Sequence, residues 1–200
     1  MEKNLLICGG YPWLDPAALH AIIKRLSARS DVRVILIDAS WRGEFDDCAD
    51  EVEMIPVADS SETLSSLCQQ LETLTPQKET VLIINEFSYM IDPSSKEGRQ
   101  QSRANLKSIL KLAKEGGRVG IRLIITDRHP MTEVITKEIR ELFPLRLAFR
   151  VSSKEDSKLI LGYYGAEKLR SPGEALYYNG TLNSPRKCYI TGCGYLQTHY

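Results

Sequence analysis

Residues 5–23 read LLICGGYPWLDPAALHAII. An apolar run, LLIC, feeds a glycine, and a helical pattern, AALHAII, follows. This is the strand–loop–helix frame of G-x-x-x-x-G-K-[ST], in which backbone N–H groups and a Lys cradle phosphates and a Ser or Thr holds magnesium. Counting from Gly9, the second Gly, the Lys and the hydroxyl residue fall on Leu14, Asp15 and Pro16. Asp15 brings negative charge to the place of the phosphate. Pro16 has neither a hydroxyl nor an N–H. Taken alone, the stretch also reads as an ordinary strand, turn and helix, with Asp15 as N-cap and Pro16 at the first helical position.

Outward from this stretch, further apolar, β-branched runs read as buried strands: VRVILID (32–38), TVLIINE (80–86), IRLIITD (121–127) and LRLAFRV (145–151). They are near-continuous rather than alternating, the pattern of parallel strands covered on both faces. Helical patterns lie between them over 16–29, 60–74, 97–115 and 132–142, and another follows over 153–161. The last part, EALYY (174–178) and RKCYITGCG (186–194), reads as a β-hairpin across NGTLNSP. Alternating strand and helix imply an α/β fold, a mostly parallel sheet flanked by helices, closed by this C-terminal hairpin. The length of 200 residues fits one domain spanning 1–200, with no internal repeat.

Formal net charge is zero, so the chain as a whole gives no reason to expect nucleic acid or membrane. Its distribution is uneven. Residues 38–62 hold nine acidic residues and one basic residue, Arg42; residues 96–122 hold eight basic residues against Glu97 and Glu115. No stretch approaches the ~18 apolar residues of a membrane span. The opening MEKNLLICGG lacks a signal-peptide layout. Five scattered cysteines suit a reducing cytoplasm. Cys188 and Cys193 are too far apart for a CxxC pair and have only His199 nearby, so no metal site is expected.

Arg99, Arg103, Lys107, Lys111, Lys114 and Arg118 recur at steps of three or four and share a helix face beside the apolar Leu106, Ile109, Leu110 and Ala113. The stripe reads as a solvated face with cations near the helix C-terminus, or as a phosphate-tracking surface for DNA.

From Gly116 to Tyr177 the chain resembles the FtsK/SpoIIIE family of ring-forming DNA translocases. The resemblance rests on VIT (134–136), PLRLAFRVSSKEDS (144–157) and GAEKL (165–169). With that anchor, VLIINEFSYMID (81–92) falls on the family's Walker B, VRVILIDAS (32–40) on its VRFILIDPK, and LLICGGYPWLDPAAL (5–19) on LLIAGTTGSGKSVGL without a gap. The resemblance covers nearly the whole chain and implies a RecA-like P-loop NTPase fold. The family's upstream subdomain, membrane anchor and winged helix have no counterpart in these residues.

The resemblance also shows where the chain departs from the family. The Walker A Lys falls on Asp15 and its Ser or Thr on Pro16. The Walker B Asp falls on Asn85, with the catalytic Glu retained as Glu86. The γ-phosphate-sensing TQR falls on Asp127, Arg128 and His129. Phosphoryl transfer depends on positioning and charge stabilisation, which these changes remove together. Glu86 is then vestigial, hydrogen-bonding nearby N–H groups. His129 reads as a loop residue, with no nucleophile beside it. Arg146 and Arg150 match arginines facing a neighbouring subunit, and read as trans-acting arginines or as surface ion pairs.

The family uses ATP and Mg; here no cofactor is expected. Expected partners are double-stranded DNA and like or paralogous subunits in a ring. The implied role is a DNA-binding or assembly component of a translocation machine, defective in ATP binding and hydrolysis. The alternatives are a pseudo-ATPase module of type VII secretion that binds protein, an active translocase with an unorthodox site, and a purely structural interaction protein.

Overall fold

The computed structural model describes residues 3–9, 16–40, 42–73, 78–91, 96–128, 133–190 and 196–198, the side chains of 96–99 and 196–198 apart. The strands are β1 (Leu5–Cys8), β2 (Val32–Asp38), β3 (Glu53–Ile55), β4 (Glu79–Asn85), β5 (Ile121–Asp127), β6 (Leu145–Ala148), β7 (Glu174–Tyr178), β8 (Arg186–Ile190) and β9 (Leu196–Thr198). The helices are α1 (Pro16–Ser27), α2 (Ser60–Thr73), α3 (Phe87–Ile91), α4 (Lys96–Glu115), α5 (Lys137–Leu142) and α6 (Lys154–Leu161).

All nine strands form one sheet in the order β3-β2-β4-β5-β1-β6-β7-β8-β9. The pairings from β3 to β6 are parallel, and those of β7, β8 and β9 are antiparallel. This is the expected α/β architecture with its C-terminal hairpin. Among the described residues, no helix is long and apolar enough to cross a membrane.

Apolar residues alternate between two cores because strand side chains point to opposite faces. Leu82 and Ile84 of β4 join Leu64 and Leu67 of α2, Ile109 and Leu112 of α4, and Ile160 of α6. Val81 and Ile83 face the other way, to Leu19, Ile23 and Leu26 of α1 and to Phe45. Both faces of the central strands are therefore covered, which is why their sequences read as continuous apolar runs.

Two expected boundaries move. The helix expected over 132–142 begins only at Lys137. Thr136 is its N-cap, and its hydroxyl accepts a hydrogen bond from the Ile139 N–H at 3.3 Å. The apolar Val134 and Ile135, which suggested more helix, are buried in the preceding turn. The strand expected to run to 151 ends at Ala148. The short strands β3 and β9 and the single-turn helix α3 were not expected from the sequence.

Asn4 holds the N-terminal end of β1 in place. Its amide donates to the Ala113 and Leu142 carbonyls at 2.7 and 3.0 Å, and its oxygen accepts from the Leu123 N–H at 3.0 Å. One buried side chain thus joins the ends of α4, α5 and β5.

Glu174 does the same for the hairpin. Its carboxylate accepts from the N–H groups of Arg170 and Ser171, from the Tyr189 hydroxyl at 2.8 Å and from Lys187 Nζ at 2.7 Å. The Lys187 ammonium first, then these other donors, hold its pKa down to about 2, from an ordinary 4.5. A depressed carboxylate pKa contributes stability above the unfolded value and loses it as pH falls through the folded one. Glu174→Gln is therefore expected to lower the urea midpoint at pH 7. The gap to the parent should close between pH 4.5 and 2, as equilibrium unfolding across that range will read directly.

Candidate functional site

The order β2-β4-β5-β1 sets the C-terminal ends of four parallel strands side by side. In open α/β sheets this edge is where ligands bind. Parallel register pairs Asp38 with Asn85 and Cys8 with Asp127. The sequence thus places one polar side chain after each apolar run, and the register gathers them into one layer.

These groups bond one another in a directed chain. The Glu86 N–H donates to Thr126 Oγ1 at 3.3 Å, and that hydroxyl donates to Asn85 Oδ1 at 2.5 Å. Asn85 Nδ2 then donates to Asp38 Oδ1 at 2.8 Å. Ser40 closes the chain, giving its N–H and hydroxyl to the two oxygens of Asp38, each at 3.0 Å. Asn85 works here because its amide has both a donor and an acceptor end.

Glu86 leaves β4 with φ +57°, the left-handed region that a non-glycine residue seldom occupies. Such strain costs roughly 1–3 kcal/mol and persists only where the surroundings enforce it. Its carboxylate is buried against Arg128. Glu86 Oε1 lies 3.1 Å from Arg128 Nε, and Glu86 Oε2 accepts from the Arg128 backbone N–H at 3.4 Å. Arg128 Nη2 donates to Glu44 Oε2 at 2.6 Å. The guanidinium is only 4% exposed, so it is a desolvated cation between two carboxylates.

Asp127 is also buried; its Oδ2 accepts from the Ser88 N–H at 2.9 Å at the start of α3. The neighbouring Cys8 thiol is pushed well above its usual range, by burial first and then by Asp127 and Glu86. Gly9 donates its N–H to the Asp127 carbonyl at 3.2 Å. A Cβ on Gly9 would stand 2.5 Å from Phe149 Cβ, so the glycine is demanded by the approach of the chain after β6. Beneath Pro16, the cavity walled by Ile7, Leu19, Phe45, Asn85, Thr126 and Arg128 is about 10 Å³, room for one water molecule at most.

No protein-family model matches the chain. The DNA translocase FtsK of Treponema pallidum (strain Nichols) is 38% identical over 107 residues, 54% of this chain and 12% of that protein. Among solved structures, the pCW3 conjugation coupling protein TcpA, in its monomer form with ATPγS, superposes with a TM-score of 0.84 at 18% identity. That match covers 93% of this chain and 60% of TcpA. Over about half its length the chain is similar to FtsK DNA translocases, of which it spans about an eighth, and its fold is that of TcpA. The cytoplasmic domain of the Thermomonospora curvata type VII secretion ATPase EccC shares the fold, with a TM-score of 0.74 at 14% identity, over 96% of this chain and 26% of that one.

Of the positions aligned with FtsK/SpoIIIE chemistry, the fold brings Gly9, Asn85, Glu86, Asp127 and Arg128 together, with Pro16 beside them at the start of α1. Asp15 and His129 lie outside the described residues, as does the side chain of Arg99. Sequence reasoning missed Asp38, Glu44 and Thr126. Asp38 ended a quoted strand run, and its position at that end was the available signal. Glu44 sits in a loop with no signal of its own.

The two candidate trans-acting arginines differ. Arg146 donates to the carbonyls of Phe143, Leu161 and Arg140 at 3.1, 3.2 and 2.6 Å and lies against the Tyr178 ring. Its guanidinium is therefore committed within its own chain, and burial holds its pKa below the usual arginine value. Arg150 is exposed. On α4, Arg103 and Lys107 are exposed, and Lys111 Nζ lies 3.3 Å from Glu72 Oε1 of α2.

Asn85→Asp places a carboxylate where an amide now donates to Asp38. Two carboxylates in this position share a proton, and one pKa rises above its unfolded value. The variant is expected to lose about 1–3 kcal/mol at pH 7, with most of it recovered near pH 4. Parallel urea titrations at the two pH values will measure this.

Proposed function

We propose that residues 1–200 form one FtsK/SpoIIIE-type motor domain that has given up nucleotide chemistry and serves as a DNA-binding or assembly component of a translocation machine. The observation that carries this reading is the pairing of Glu86 with Arg128 at the strand ends. Arg128 neutralises Glu86 from inside the protein, and Asn85 joins Asp38 to Thr126 without a cation. A water-polarising Glu must face a water and a phosphoryl group. Here Glu86 faces a guanidinium.

The replaced Walker positions point the same way. Asp15 and Pro16 supply neither the phosphate cation nor the magnesium hydroxyl, and Asn85 supplies no magnesium carboxylate. No cofactor is assigned. The domain works among like or paralogous subunits in a ring. DNA is preferred to protein as cargo because the sequence relative is a DNA translocase, whereas the likeness to the type VII secretion ATPase is one of fold.

Calorimetry with Mg-ATP is expected to show no binding isotherm at micromolar concentration. A clear one-to-one isotherm below about 100 μM, near −5 to −6 kcal/mol, would overturn the loss of nucleotide chemistry and favour an active motor.

The basic stripe of α4 tests the cargo. Arg103 and Lys107 stand four residues apart, about 6 Å along the helix. That spacing is close to the separation of successive phosphates on one strand. DNA binding at low salt is expected to be sequence-tolerant. Each removed cation should lower the log–log salt slope by roughly 0.9, so Arg103→Gln with Lys107→Gln should lose close to two units. An unchanged slope in that variant would move the assignment to a protein cargo.

A further inference from the structure

We propose that His20, Asp47 and Cys48 form a binding site for one zinc-class divalent cation that fastens the segment after β2 to the first turns of α1. The site is separate from the strand-end cluster and does not depend on the loss of nucleotide chemistry. His20 Nε2, an Asp47 oxygen and Cys48 Sγ all lie within 4.8 Å of one another, the one such His, Cys and carboxylate group among the described residues.

The imidazole is oriented as a ligand. His20 Nδ1 lies 2.9 Å from the Pro16 carbonyl, an oxygen that can only accept. Nδ1 therefore carries the hydrogen. Its ring stacks on Phe45 with centroids 4.7 Å apart, which fixes the ring plane. A backbone carbonyl on one ring nitrogen is the usual outer support of a metal-bound histidine. The other nitrogen, Nε2, faces Asp47 Oδ1 at 2.9 Å. In the neutral ring two lone pairs would meet there, so a proton or a metal ion must stand between them.

Cys48 distinguishes the two. An imidazolium–carboxylate pair needs no thiol, yet Cys48 Sγ is aimed at the same Asp47 oxygen at 3.7 Å. Tetrahedral zinc with bonds of about 2.0–2.3 Å sets its ligands roughly 3.3–3.8 Å apart. The sulfur–oxygen separation already fits. The nitrogen–oxygen separation must open slightly, and Asp47, with a side chain 68% exposed, is free to withdraw. Imidazole, carboxylate and thiolate together suit Zn²⁺ rather than Mg²⁺ or Ca²⁺. Three protein ligands leave a fourth position to water. Asp47 and Glu51 are the acidic groups around the thiol, with Lys24 as the opposing cation. The thiol proton, held by burial to about 11, leaves when the metal binds.

The test uses the full chain, reduced and chelator-treated, titrated with ZnCl₂ against a chromophoric chelator and with CoCl₂ in the spectrophotometer. One equivalent is expected to bind. The cobalt form should show a thiolate-to-cobalt charge-transfer band and the intense d–d bands of a tetrahedral ion. His20→Gln and Asp47→Asn, both on partly exposed side chains, should each weaken zinc binding at least about tenfold. They also keep the test valid if Cys48→Ser, at a buried position, fails to fold. Cys68→Ser with Cys193→Ser should bind as the parent does. Absence of the charge-transfer band, tight binding that survives His20→Gln, or loss of binding in the Cys68/Cys193 variant would each overturn the site. His20 and Asp47 would then be an ion pair alone.

Discussion

The Arg128 guanidinium, buried between Glu86 and Glu44, is the contact on which the functional edge of this domain depends. Ions taken out of water are costly unless paired, and removing one partner of a buried pair costs several kcal/mol. A parallel sheet ends its central strands in one layer, so the polar residue after each apolar run is carried inward with its strand. Glu86 arrives there because β4 ends there. Arg128 arrives one residue after β5 ends. Their pairing offsets the charge of Glu86 from within the protein.

The same cation organises the segment after β2. Glu44 reaches Arg128, and the next residue, Phe45, is then buried against α1, where it stacks on His20. His20 in turn meets Asp47. A loop rich in acidic residues is thereby held against the sheet edge at both ends of a short span. The acidic excess over residues 38–62 gains a partial physical account. Glu44 and Asp47 find cationic or imidazole partners on the body of the domain, and Glu53 pairs with Arg33 of β2.

Much of this fold was legible in the residues, for identifiable reasons. Runs such as VRVILID and IRLIITD announce strands because, past the arginine at the second position of each, both of their faces are buried. The edge strand β3 gave no such signal, since its three residues are exposed or only half-buried. The start of α5 was misplaced because Val134 and Ile135 extend an apolar helical pattern backward, while the deciding group is the Thr136 hydroxyl. Arg146 shows the limit of reasoning from resemblance. Its position suggested a reach to a neighbouring subunit, but three carbonyls of its own chain take its hydrogens. Links such as Asp38 to Asn85 were invisible because strand register, which no local pattern states, decides them.

What the chain keeps and what it changes separate along physical lines. Gly9 is kept, and the backbone requires it, since a side chain would collide with Phe149 whether or not phosphate were present. Its retention is therefore no argument for nucleotide binding. Glu86 is kept in a strained left-handed conformation, and here the side chain supplies the reason. A glycine would relax the backbone but leave Arg128, at 4% exposure, with Glu44 as its one ion-pair partner among the described residues. Position 85 shows the reverse case. An amide there satisfies Asp38 and Thr126 at once, whereas a carboxylate would have to share a proton with Asp38. Packing accounts for Gly9 and Glu86, and hydrogen bonding for Asn85, from contacts within the chain. Asn85 and Arg128 each tie the ends of neighbouring strands together: the first by hydrogen bonds, the second by charge.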